Sequence, residues 1–307
     1  MLNIIRLIRF PNLLIIALTM YLTRYCLLLE FDGQALKFVP LAFTLNDVGF
    51  GLLVLATLFI AAAGYIINDY CDTRIDAINK PERLIIGVSI SRRKAMFAHT
   101  ILSSLGVIIG FWLAYEIRHI IYGWVNVITV GLLWYYSTKF KKNFLIGNVV
   151  IALLSGLIPV VVGLFEPNAY KELYYFILSY AGFAFLISLM REIVKDLEDI
   201  EGDIAEGCRT LPIVLGVNKT KTIIILLIAI VIAGIGYVIS LPLFTGNKVF
   251  VVYSVLAIQL PLLAMIYLVV KANIKRKYYI LSTFIKVIML TGVLSMYVFY
   301  YALNHQG

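Results

Sequence analysis

Long apolar runs separated by short polar stretches make up most of the 307-residue chain. Nine runs stand out, at roughly 11–29, 48–67, 95–115, 119–137, 145–165, 173–190, 221–240, 249–270 and 281–302. Several reach the ~20 residues a helix needs to cross ~30 Å of hydrocarbon. The pattern predicts an all-α polytopic membrane protein of about nine transmembrane helices. The first run follows Arg6 and Arg9 and has no small-residue cleavage site behind it, so it reads as a span. Linkers rich in Ser or Pro are absent, and 1–307 reads as a single transmembrane domain.

Composition agrees. Hydrophobic residues are 62% and charged residues 14% of the chain, against about half and about a quarter in a soluble domain. The net charge of +9 matters through its placement. Arg6, Arg9, Arg74, Lys80, Arg83, Arg92, Arg93 and Lys94 fall on one side, with Lys139, Lys141 and Lys142. Arg191, Lys195, Arg209, Lys219, Lys221, Lys271, Lys275, Arg276 and Lys277 join them, and Lys286 enters span nine. The other side receives Arg24, Lys37, Arg118, Lys171 and Lys248. The positive-inside rule then predicts a cytoplasmic N-terminus and an external C-terminus in the cell membrane, as an odd number of spans requires. The basic charge is topological, which argues against nucleic acid as a partner. Cys26, Cys71 and Cys208 show neither metal-ligand spacing nor a disulfide framework.

Two long cytoplasmic segments, about 68–94 and about 191–220, share a spacing. Asp69, Asp72 and Asp76 form D-x₂-D-x₃-D after span two. Asp196, Asp199 and Asp203 repeat it after span six. The recurrence reads as two motif-bearing pseudo-repeats. On a continuous helix, positions i, i+3 and i+7 share one face. Like charges so placed repel, and desolvation near a membrane adds to the cost. A bound cation is the natural compensation. Hard oxygen ligands without a nearby His select Mg²⁺, with Mn²⁺ as a substitute. Two such sites facing one another would clamp a diphosphate and neutralise charge on it as it leaves. Arg74, Lys80, Arg83, Lys139, Lys142, Arg191 and Lys195 lie on the same side, where such a leaving group needs cations.

Asn68-Asp69-x₂-Asp72-x₃-Asp76 and Lys195-Asp196-x₂-Asp199-x₂-Gly202-Asp203 resemble the two signatures of the UbiA superfamily of intramembrane prenyltransferases, across essentially the whole chain. The resemblance implies nine helices around a central cavity that opens to the cytoplasm under a small cap. It implies Mg²⁺ on Asp69, Asp72, Asp196 and Asp199, with an isoprenyl diphosphate as donor. Arg83 and Lys195 would assist the diphosphate. Asp76 and Asp203 would complete the metal shells or face the acceptor. Asn68, Arg74, Lys80, Lys139, Lys142 and Arg191 are the further substrate-binding candidates. Asn12 in span one and Asn148 in span five are buried polar candidates for the cavity wall. Tyr65, Trp134, Tyr135 and Tyr136 lie near the depth at which an allylic cation would form.

Asp76-x₂-Asn79-Lys80-Pro81-x-Arg83 and Arg191-Glu192-x₂-Lys195-Asp196-x-Glu198-Asp199, followed by Arg209-Thr210-Leu211-Pro212, resemble the variant in digeranylgeranylglyceryl phosphate synthases. That variant implies transfer of a geranylgeranyl group to the hydroxyl of a lipid-like acceptor, geranylgeranylglyceryl phosphate, to form an ether lipid. Leu84-Ile85-Ile86-Gly87 departs from the Pro-containing turn of many relatives, which bears on the cap and the acceptor. An aromatic quinone-precursor acceptor is the alternative within the enzyme class. CDP-alcohol phosphotransferases require a signature this chain lacks, because Tyr70 follows Asp69 and Ile204 follows Asp203. An intramembrane aspartyl protease requires single mid-membrane Asp residues on two adjacent helices. A divalent-cation carrier, the non-enzyme alternative, predicts acidic residues along a path through the spans; here they gather at span ends. Oligomeric state is not legible in the sequence.

Overall fold

The structure is a computed structural model that describes residues 2–32, 37–40, 43–169, 171–241 and 247–304. The side chains of residues 2, 29–32, 37–40, 83, 171 and 172 lie outside that description. Among the described residues, nine helices are long and apolar enough to cross a membrane. They are Phe10–Leu27, Asp47–Cys71, Arg92–Glu116, Ile120–Thr138, Ile146–Leu164, Leu173–Glu198, Val217–Ser240, Lys248–Lys271 and Lys275–Asn304, spans one to nine in chain order. Each contains one of the predicted apolar runs or most of it, and the chain is an integral membrane protein. Large apolar side chains such as Trp112, Leu226 and Tyr267 point outward, as required where the solvent is lipid.

Spans two, six and nine exceed their apolar runs. Span two continues through Asn68 and Asp69, and span six through Arg191–Glu198. Residues 191–198 are mostly Arg, Glu, Lys and Leu, which are strong helix formers, and their polar groups meet partners inside the protein. Span nine begins at Lys275, which puts Lys286 three turns into the helix.

Consecutive spans pack on one another, and span nine returns against span one to close a ring. Small residues allow the closest approaches. A Cβ on Gly106 of span three would stand 2.9 Å from the Ala56 carbonyl oxygen of span two. A Cβ on Gly156 of span five would stand 2.8 Å from the Ala181 carbonyl oxygen of span six.

The connection after span one contains a two-stranded antiparallel hairpin, Leu29–Asp32 with Lys37–Pro40. Behind it, Arg24 and Glu166 form an ion pair at 3.3 Å, each side chain 1% exposed. Arg24 also donates to the Leu45 carbonyl and lies 4.1 Å from the Phe43 ring centroid, and Glu166 accepts from the Thr44 amide. Burial pushes the Glu166 carboxyl above its ordinary range, against the pull of the Thr44 amide and Arg24. This pair ties the end of span one to the turn after span five.

Candidate functional site

The two acidic segments do not run on as single helices. Span two stops at Cys71 and span six at Glu198. The second Asp of each triplet, Asp72 or Asp199, caps a short following helix, Thr73–Asn79 or Ile200–Ala205. Neither triplet therefore lies on one continuous helix, as the single-face expectation assumed. Backbone hydrogen bonds carry the i-to-i+4 spacing through both breaks. Asp72 donates to Asn68 and Asp76 to Asp72; Asp199 donates to Lys195 and Asp203 to Asp199. The break falls at the same motif position in both segments.

The short helices meet. Asn79 donates through Nδ2 to the Asp199 carbonyl oxygen at 3.0 Å and accepts through Oδ1 from the Gly202 amide at 3.1 Å. A Cβ on Gly202 would stand 2.4 Å from Asn79 Nδ2, so this position of the second motif leaves room for a residue of the first. Lys80 adds ion pairs to Glu198 at 3.0 Å and Asp199 at 2.8 Å. Burial alone would lower the Lys80 ammonium, but Asp199 and Glu198 hold it above its ordinary value. Lys275 of span nine closes the group by donating to the Asn79 carbonyl at 2.6 Å.

Inside this junction, Asp72 and Asp203 are buried. Lys141 pairs with Asp72 Oδ2, which also accepts from Asn68 Nδ2 at 2.8 Å. Burial opposes the charge on Lys141, yet Asp72, Tyr136 and Asp76 keep its ammonium well above the ordinary lysine value. Burial pushes Asp76 up to about 6, with Asp72 adding to the shift and Lys141 opposing it. Asp203 is also pushed up to about 6 by burial, against Lys141 and with Asp199 and Asp72 adding. Asp69 binds Arg9 at 2.8 Å, and Asp196 accepts from Asn148 Nδ2 at 2.8 Å. Asn12 donates to Tyr65 Oη at 3.4 Å beside Arg9.

Arg191 and Lys195 both turn to Glu192, at 3.1 Å and 2.8 Å. Arg74 and Lys142 line a cavity of about 350 Å³ at the mouth, with Arg92 and Glu206. A second cavity beside it, about 230 Å³, reaches Asp72 and Lys141. Lys139 is not brought in: it is exposed, with its ammonium 5.9 Å from the Tyr135 ring centroid. Trp134 and Tyr135 also face outward, whereas Tyr136 is buried within electrostatic reach of Glu192, Lys141 and Asp72. Arg83 belongs to the turn Pro81–Arg83, and its side chain lies outside the described residues.

Sequence reasoning passed over Lys141, Glu192, Glu198, Arg9 and Asn79 as site residues. Lys141 was one of three equivalent lysines in a loop. Asn79 had its signal in the spacing to Gly202 in the other motif, legible only once the two halves face each other.

The donor set suits a hard divalent cation that shares its shell with phosphate. Among the described residues, no three His, Cys, Asp or Glu groups converge as a ready-made cage. Mg²⁺ needs none, since it keeps waters and takes one or two carboxylates along with substrate phosphate. Buried Asn68 Oδ1 and Asp199 Oδ1 accept no well-directed hydrogen bond, although Lys80 Nζ is close to the latter. Such oxygens are what a cation would take up.

The model of the UbiA prenyltransferase family matches residues 40–287. A digeranylgeranylglyceryl phosphate synthase of Sulfolobus acidocaldarius is 35% identical over 259 residues, which cover 81% of this chain and 85% of that protein. One of Methanosphaera stadtmanae is 34% identical over 240 residues, covering 77% and 83%. A solved structure of a digeranylgeranylglyceryl phosphate synthase superposes with a TM-score of 0.64 at 25% identity over 98% of both chains. A UbiA homologue from Archaeoglobus fulgidus, solved with GPP and Mg²⁺, shares the fold with a TM-score of 0.61 at 15% identity, covering 96% and 99%.

Proposed function

The chain belongs to the UbiA prenyltransferase family, and we propose that it catalyses Mg²⁺-dependent transfer of a geranylgeranyl group from its diphosphate to the hydroxyl of geranylgeranylglyceryl phosphate. The product is an ether-linked membrane lipid precursor. The observation that carries the reading is the junction of the two motifs, where Asn79 and Lys80 of the first bind Asp199, Glu198 and Gly202 of the second. That contact supports a site in which the two acidic triplets serve one mouth. The names of the relatives support the acceptor.

Asp69, Asp72, Asp196 and Asp199 would hold the metal, and bound Mg²⁺ supplies neutralisation of the charge that develops on the departing diphosphate. Asn148 and Asn68 orient Asp196 and Asp72 for that task. Lys80, Lys195 and Arg83 offer cations to the diphosphate as the C1–O bond breaks. Tyr136 and Tyr65 present aromatic faces to the allylic cation. The acceptor oxygen forms the new C–O bond and gives up its proton to Asp76 or Asp203. Carboxyls held near 6 are suited to receive it. The pairs of helix breaks support two pseudo-repeats in one transmembrane domain. The charge pattern supports a cytoplasmic N-terminus, with the mouth opening to the cytoplasmic face of the cell membrane.

Purified protein in detergent, given geranylgeranyl diphosphate and Mg²⁺ with geranylgeranylglyceryl phosphate, 4-hydroxybenzoate and a naphthoate, tests the reading by product mass. An ether product abolished by chelator is expected. Transfer to an aromatic alone would replace the acceptor assignment, and no pyrophosphate release from donors of several lengths would remove the enzyme reading.

A further inference from the structure

Span six carries a second charged cluster beside the acidic one. At 100° per residue, Arg191, Lys195 and Asp199 follow one another along one edge of the helix, and Glu192 and Asp196 along the adjoining edge. Asp196 turns to Asn148 of span five, whereas Lys195 and Arg191 converge on Glu192. Lys286 of span nine, which packs on both spans six and one, lies within electrostatic reach of Arg191, Lys195, Arg9 and Glu192. Four cations thus share three carboxylates: Glu192, Asp69, which Arg9 binds, and Asp196 beside Lys195. The cations are in excess.

The geometry shows where. Arg191 Nε is buried without a hydrogen-bond partner. Lys286 enters no ion pair among the described residues. Positive-inside placement accounts for Arg191 and Lys195 at the basic end of span six, but not for Lys286, which lies three turns into span nine. Ionisable groups there are costly and mark binding sites or paths for charge.

We propose that Arg191 and Lys286, with Arg9 at the rim, seat the phosphate monoester of the prenylated glycerol acceptor. This inference rests on the acceptor reading above. The donor diphosphate has its own place between the triplets, so an anion seat in excess of it calls for a second anionic group. The acceptor's hydroxyl and phosphate sit on neighbouring carbons of one glycerol unit, so the phosphate must lie close to the reacting carbon. Lys195 joins the two seats, since it precedes Asp196 and shares Glu192 with Arg191.

Steady-state kinetics of Lys286→Gln and Lys286→Arg test the assignment, with geranylgeranylglyceryl phosphate and the dephosphorylated geranylgeranylglycerol as alternative acceptors. Lys286→Gln is expected to raise KM for the phosphorylated acceptor about tenfold or more while leaving donor KM within about twofold. Lys286→Arg should recover most of the loss, and the penalty should vanish with geranylgeranylglycerol. A rise in donor KM instead would assign the cluster to the diphosphate. Equal losses with both acceptors would make Lys286 structural. Either result, or unchanged kinetics of Lys286→Gln where the wild-type enzyme uses the phosphorylated acceptor, overturns the seat alone. A wild-type enzyme that never uses that acceptor overturns the acceptor reading and the seat with it.

Discussion

Lys141 sets the electrostatics of the mouth. It pairs with Asp72 and opposes the upward shifts of Asp76 and Asp203, both held near 6. A carboxyl whose pKa is raised on folding favours the folded state below its unfolded value of about 3.9. It loses that contribution as pH rises through about 6. The metal-free protein should therefore lose thermal stability across that window, and Mg²⁺ with pyrophosphate should restore it at neutral pH. The same protons compete with the cation, so apparent Mg²⁺ affinity should weaken as pH falls below about 6. Lys141→Met removes the opposing ammonium and should move that weakening upward by about one pH unit. Thermal-shift titrations with Mg²⁺ and pyrophosphate at half-unit pH steps read both effects. Coincident midpoints for the two proteins would show that Lys141 does not tune these carboxyls.

Among the helices, two contacts are disproportionately important. The first is Asn79 against Gly202. Gly202→Ala puts a Cβ 2.4 Å from Asn79 Nδ2, so either the Asn79 amide swings away and gives up its bonds to Asp199 and Gly202, or the two acidic segments part. A misplacement of about 1 Å costs about 10²-fold in turnover, so a loss of this size with an intact fold is expected, and Asn79→Ala should lose activity in the same direction. Near-wild-type rates in Gly202→Ala would mean the junction tolerates separation. The second is Arg24 with Glu166, far from the mouth. Arg24→Ala leaves a buried carboxylate without its partner and should cost about 3–5 kcal/mol, seen as a large drop in unfolding temperature in detergent. The contrast explains what was legible beforehand. The spans follow from hydropathy alone, and the triplets from spacing. The helix breaks at Asp72 and Asp199, the Asn79–Gly202 link and the choice of Lys141 over Lys139 depend on the two halves facing each other. Lys139 and Lys141 are two residues apart, yet one is exposed and the other pairs with Asp72. Only tertiary structure separates them.

For the molecule as a whole, the ring, the mouth and the membrane orientation are one connected claim. The acidic triplets, both mouth cavities and nearly all the basic loop residues share one end of the bundle, while the Arg24–Glu166 pair and the hairpin occupy the other. If the mouth is cytoplasmic, its chemistry is reachable only from that side, and the three cysteines report on it. Cys71 lines both mouth cavities and is partly exposed, whereas Cys26 and Cys208 are buried. A membrane-impermeant maleimide should label one thiol in inside-out vesicles and none in right-side-out vesicles. Cys71→Ser should remove the signal. Mg²⁺ with pyrophosphate should slow the labelling, because Asp72 and Lys141 line the same cavity as Cys71. Labelling of Cys71 from the external face would invert the orientation while leaving the site intact. Labelling unaffected by Mg²⁺ and pyrophosphate would instead detach the cavity from the diphosphate site.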